Sequence, residues 1–164
     1  MAGPGRVVAL YVAAAGGQPV RAVARADAVV GGGLLGDRYQ RGTGHWSYQE
    51  RLRDDVTLVA AEALAAAAAE HGVALGGGAS RRNAVTEGVD LDALVGREFA
   101  VGGALLRGER PCEPCRYLDG LVGGPARAAL AGRGGLRATV VRAGRLAVGD
   151  AVLPGPPGPP DTAS

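Results

Sequence analysis

Short apolar runs, separated by glycine, proline and charged positions, dominate this chain. Val7 to Val12 is apolar and rich in valine, which predicts a first strand. Val20, Val23 and Ala28 to Val30 mark a second strand region between Pro19 and Val30. Gly31 to Asp37 reads as a turn or loop. It runs on into a polar stretch, Tyr39 to Tyr48, that carries His45 and the only tryptophan, Trp46. A loop of that length inside a compact domain is uncommon and often functional. Val56 to Val59 is a further strand-like run. The alanine-rich segment Ala60 to His71 that follows favours helix, with Gly72 as its C-terminal cap.

Gly76 to Ser80 predicts a flexible loop, followed by Arg81, Arg82, Asn83 and a strand from Ala84 to Thr86. Asp90 is placed to cap a short helical turn through Leu94. Glu98 to Val101 and Ala104 to Leu106 flank Gly102-Gly103, the clearest hairpin signal in the chain. After Pro111-Cys112-Glu113-Pro114-Cys115, Arg116 to Val122 predicts a helical turn and Pro125 to Ala131 a short helix. Leu136 to Val141, Arg145 to Val148 and Ala151 to Leu153 complete a set of strands. Strands dominate and do not alternate with helices as βαβ units, so a doubly wound sheet is disfavoured. The expected fold class is mainly β or α+β. It would be a curved or closed β barrel with one longer helix and short peripheral helices. Residues 1–153 are expected to form this single domain, and the Pro/Gly-rich residues 154–164 a disordered tail.

Composition sharpens the picture in three places. The chain has 164 residues, a normal size for one domain that needs neither metal nor disulfide to fold. Aromatic residues make up only 4%, so the core must be built from Ala, Val and Leu. All 18 basic residues are arginine. Without lysine the chain can form no Schiff base of its own and no P-loop. A net charge of +2 is too small to argue for nucleic acid. No run is long and apolar enough for a membrane span, and the first residues lack a signal-peptide layout, so the cytoplasm is expected. Both cysteines would then be reduced.

Cys112-x-x-Cys115 leaves several chemistries open. The pair could be half of a zinc site, a redox couple, or two cysteines packed as small hydrophobes. It could also supply one functional thiolate. The flanking prolines and polar neighbours argue against deep burial. Cys115, beside Arg110 and Arg116 at a predicted helix start, suits a thiolate, because positive charge favours the ionised form. Such a thiolate can ligate a soft metal, attack an electrophile or carry sulfur. Arg81-Arg82-Asn83 follows a glycine-rich loop, and two guanidiniums beside backbone amides make an anion site, although a solvated charge pair fits the same spacing. Gly36-Asp37-Arg38 reads first as a turn.

Taken in order, these pieces resemble the MOSC domain family, named for the C-terminal domain of molybdenum cofactor sulfurase. They are Gly33-Leu34-x-Gly36-Asp37-Arg38, Val56-Thr57-Leu58 with Glu62, Arg81-x-Asn83, Leu91 with Leu94 and Gly96, Pro114-Cys115-x-x-Leu118, Gly134-Gly135, and Arg145-Leu146-x-Val148-Gly149-Asp150. The resemblance implies a β barrel that binds the molybdenum cofactor (molybdopterin), with Cys115 as metal ligand and catalytic residue or as a persulfide carrier. It further implies that Arg81 and Asn83 hold the cofactor's phosphate or pterin, with Arg82, Arg38 and Cys112 as weaker candidates. Activity would be reduction of N-hydroxylated small molecules with an external electron donor. The alternative is a sulfur-carrier or cofactor-delivery module served by a desulfurase protein. Neither a nucleic acid nor a membrane is an expected partner.

Overall fold

The computed structural model describes residues 4–13, 20–35, 37, 56–76, 78–112 and 125–155. The predicted polar stretch 39–48, the turn 116–122 and, of the predicted tail 154–164, all but Pro154 and Gly155 lie outside these residues, as do Arg38 and Cys115; Pro154 ends a strand, and the Gly155 N–H donates to the Glu98 carbonyl.

Eleven strands form in the described residues: β1 Gly5–Val12, β2 Arg21–Val23, β3 Arg25–Val29, β4 Gly33–Leu34, β5 Val56–Ala60, β6 Ala84–Glu87, β7 Glu98–Val101, β8 Ala104–Pro111, β9 Leu136–Arg142, β10 Gly144–Ala147 and β11 Ala151–Pro154. Helix α1 spans Ala61–His71, a 3-10 helix spans Asp92–Leu94, and α2 spans Ala126–Ala129. Seven strands close into a barrel in the order β11-β7-β8-β9-β5-β6-β1, with β1 pairing back onto β11 through Gly5 and Val152. β2 extends β1 outward, and β10-β3-β4 form a separate three-stranded sheet.

Period-two alternation fills the barrel. On β9, Leu136, Ala138 and Val140 are buried while Arg137, Thr139 and Val141 face outward. The single phenylalanine, Phe99, is fully buried and is the largest side chain in this core, as the aromatic-poor composition requires. The Gly102-Gly103 hairpin forms as expected, although only Gly102 adopts a positive φ, of 57°.

One connection departs from the sequence expectation. β5, α1 and β6 form a βαβ unit, with β5 and β6 parallel and adjacent. The outward residues Val59 and Val85 explain it, since α1 buries them with Ala63 in a small satellite core. A second satellite core joins Ala67 of α1, Val73 and Leu75 of the following loop, and Leu130 after α2. Glu70 of α1 pairs at 2.7 Å with Arg133, four residues beyond α2, and that hydrogen bond and charge hold the Glu70 carboxyl below the ordinary carboxylate range.

α1 stops where the sequence says it should. Gly72 sits in the left-handed region at φ 66°, and its N–H caps the carbonyls of Ala67 and Ala68. A Cβ there would meet nothing within 4 Å, so Gly72→Ala isolates conformational strain. Urea unfolding should show a loss of about 1 kcal/mol. No loss would mean that α1 does not end in this conformation.

Candidate functional site

Arg81, Arg82 and Asn83 lead into β6, and the structure gives each a different task. Arg81 is the one non-glycine among the described residues with a positive φ, at 60°. An L-residue in this region costs roughly 1–2 kcal/mol, and such strain collects at functional sites. The turn before it has a fixed shape: the Arg81 N–H donates to the Gly78 carbonyl at 2.9 Å, and the Ser80 N–H to the Leu75 carbonyl at 3.2 Å.

Arg82 lies on the strand face that carries Ala84 and Thr86, both fully buried. It is itself only 9% exposed. Its Nε donates to the Gly134 carbonyl at 2.9 Å and its Nη2 to the Cys112 carbonyl at 3.3 Å. No ion pair of Arg82 is present among the described residues. A buried guanidinium balanced only by neutral carbonyls is unusual, because buried charges are generally paired.

Asn83, 1% exposed, is a framework residue. Its Oδ1 accepts the Thr57 N–H at 3.0 Å and the Thr57 hydroxyl at 3.1 Å, while its own N–H donates to Thr57 Oγ1 at 3.0 Å. Its Nδ2 donates to the Tyr11 carbonyl at 3.1 Å. One carboxamide therefore fastens the start of β6 to β5 and to the far end of β1. Its position directly after the two arginines makes it the anchor that presents them.

Cys112 corrects the expectation from its neighbours, since it is a free thiol only 2% exposed. Burial is possible because both of its backbone polar groups have partners: its N–H donates to the Gly135 carbonyl at 2.8 Å, and its carbonyl accepts from Arg82. Asp37, read from sequence as part of a turn, is 1% exposed and accepts the Ala13 N–H at 3.0 Å. Asp37 is thus fastened just beyond the end of β1. No local sequence signal marks a carboxylate that bonds a backbone group 24 positions away.

Glu62 and Asp150 of the motif series, and Asp90, serve the framework. Glu62 accepts the Gly88 N–H at 3.1 Å, which ties α1 to the end of β6. Asp150 accepts the Ala147 N–H at 2.8 Å within the Val148-Gly149 turn, and its carbonyl accepts the Val7 N–H. Asp90, one residue ahead of the N-cap Leu91, accepts the Asp92 N–H at the start of the 3-10 turn at 3.2 Å. A cleft of about 210 Å³ opens between α1 and the 3-10 helix, with Glu62, Asp90, Asp92 and Arg133 on its walls. Three carboxylates to one guanidinium suit an anion poorly. Among the described residues no group of His, Cys, Asp and Glu could hold a metal ion, and no helix is long and apolar enough to cross a membrane.

Comparison with known proteins agrees with this architecture. The family model described as "MOSC domain" matches residues 47–153. The fold is similar to the YuaD protein from Bacillus subtilis, with TM-score 0.76 and 19% identity over 92% of this chain and 94% of that one. It is similar to YiiM from Geobacillus stearothermophilus, with TM-score 0.70 and 16% identity over 93% and 76%. YiiM from Escherichia coli superimposes with TM-score 0.65 and 17% identity over 92% and 70%. No curated protein sequence matches.

Proposed function

The chain belongs to the MOSC domain family, which is associated with the molybdenum cofactor, and from that premise we propose that it binds this cofactor with the phosphate end at Arg81 and Arg82. The observation that carries the proposal is the buried Arg82 guanidinium, without a carboxylate partner among the described residues, beside the strained Arg81. A dianionic phosphate is the type of group such a charge calls for, and a guanidinium fork fits it better than any other side chain. The donor set therefore fits the group. Asn83 and Thr57 act one step back, by holding the β5–β6 register that presents both arginines. Cys115 is assigned as the metal-ligating thiolate from the Pro114-Cys115-x-x-Leu118 motif. Cys112 is assigned to support, because its thiol is buried and its backbone is bonded on both sides.

When bound, the cofactor would supply two-electron oxygen-atom chemistry, and the chain would supply binding, orientation and charge. The proposed net reaction is reduction of an N-hydroxylated small molecule. The N–O bond breaks and two electrons come from an external donor; of the two protons consumed, one joins the hydroxyl, which leaves as water, and the other forms the new N–H bond.

Molybdenum content tests this. Protein purified reduced from a host that makes the cofactor should carry molybdenum, and Arg81→Ala and Cys115→Ala should each lower the content roughly tenfold or more. Undiminished metal in Cys115→Ala would remove the ligand assignment. A metal-free chain that gains the mass of one sulfur atom on Cys115 after incubation with a cysteine desulfurase would turn the function to sulfur carriage.

A further inference from the structure

The Arg82 guanidinium has two distinct edges, and the structure uses only one. A guanidinium carries five N–H donors in a planar fork. Nε and the adjacent proton of Nη2 are committed to the carbonyls of Gly134 and Cys112. The opposite edge, formed by Nη1 and the second proton of Nη2, has no bond among the described residues. Two parallel N–H groups on that edge suit an oxyanion in two-point fashion.

Of the two carbonyls on the occupied edge, that of Cys112 directly follows β8 and that of Gly134 stands two positions before β9, so they are the stems on either side of the chain segment that contains Cys115. Arg82 reaches them across 30 and 52 positions of sequence. We propose that Arg82 is a positioning residue that couples oxyanion binding to the cysteine stem: an oxyanion on the outer edge fixes the guanidinium, and the fixed guanidinium holds Cys112 and Gly134 in place. The proposal rests on the reading that this end of the barrel takes an anion. The bond to Cys112 is the long one of the pair, at 3.3 Å, so it is the part of the clamp with the most to gain when the plane is fixed. A ligand that binds only the clamped state makes opening of the stem rarer by mass action.

Cys112 reports the opening, because a thiol 2% exposed is alkylated only when the stem opens. The test uses the full chain carrying Cys115→Ser, which leaves Cys112 as the sole thiol. Labelling by N-ethylmaleimide is followed with inorganic phosphate or with chloride at equal ionic strength, while phosphate binding is read from 31P line broadening. Phosphate should slow labelling roughly fivefold or more. In Arg82→Lys, which keeps a charge but not the two-edged fork, labelling should be faster and indifferent to phosphate. Arg82→Gln serves the same purpose if the lysine variant does not fold. Phosphate that binds without slowing the labelling would overturn the coupling and leave the anion site standing. Neither binding nor protection would overturn both.

Discussion

Gly135→Ala is expected to destabilise the barrel by about 3–5 kcal/mol and lower the Tm by roughly 10 °C. Gly135 sits at φ 108°, outside the range of an L-residue, and a Cβ there would lie 1.9 Å from the Leu58 carbonyl oxygen. That oxygen is backbone in the middle of β5, so it cannot swing aside, and β5 and β9 would have to part. The damage would reach the site, because the Gly135 carbonyl holds the Cys112 N–H and the Gly134 carbonyl holds Arg82. Gly132→Ala is the matched control. It has φ 72° with nothing within 4 Å of the added carbon, so it should lose only about 1 kcal/mol. Thermal and urea unfolding of the two variants decide the matter. Equal losses would show that Gly135 does not approach β5 closely.

The Gly-Gly pair at 134–135 illustrates how far a sequence can be read. Its presence in the motif series is plain, but its purpose lies in a carbonyl of β5 and a guanidinium just ahead of β6, both far away in the chain. Local signals did better. The hairpin at Gly102-Gly103, the helix ending at Gly72 and the alternation on β9 all depend on neighbours within a few positions, and all form as expected. Burial is harder to read. Cys112 stands among prolines and charges, yet it is buried because Arg82 and Gly135 satisfy its backbone. The βαβ unit escapes a local reading for a different reason: its strand, helix and strand are each legible, but their parallel pairing rests on Val59 and Val85, far apart in the chain, packing under α1.

Arg81-Arg82-Asn83 marks the limit most clearly. Sequence brings three polar residues together and suggests one shared task. Strand geometry then separates them. Arg82 falls on the face of Ala84 and Thr86, Asn83 on the opposite face beside Thr57, and Arg81 on the left-handed turn before the strand. Three consecutive side chains therefore supply a buried charge, an anchor and a strained presentation. The anchor holds the backbone on which both cations stand.

Asn83→Ala is accordingly expected to cost about 3–4 kcal/mol. It would strand the buried Thr57 N–H and the part-buried Tyr11 carbonyl, and an orphaned buried group costs about 1–3 kcal/mol. Thr57→Val removes the hydroxyl that both accepts from and donates to Asn83, and should cost about 2 kcal/mol. Because the two residues share bonds, the double variant should lose less than the sum by at least about 1 kcal/mol. Urea unfolding of the four proteins gives the cycle, and strict additivity would mean that the pair does not act as a unit. Molybdenum content separates anchoring from direct contact. An anchor loses metal only as the barrel loses stability, so Thr57→Val, which deletes a group with no proposed contact to the cofactor, should lower the content in step with its own destabilisation. A residue that touches the cofactor behaves otherwise: Asn83→Ala would then lose its metal at almost unchanged stability, while Thr57→Val would keep it.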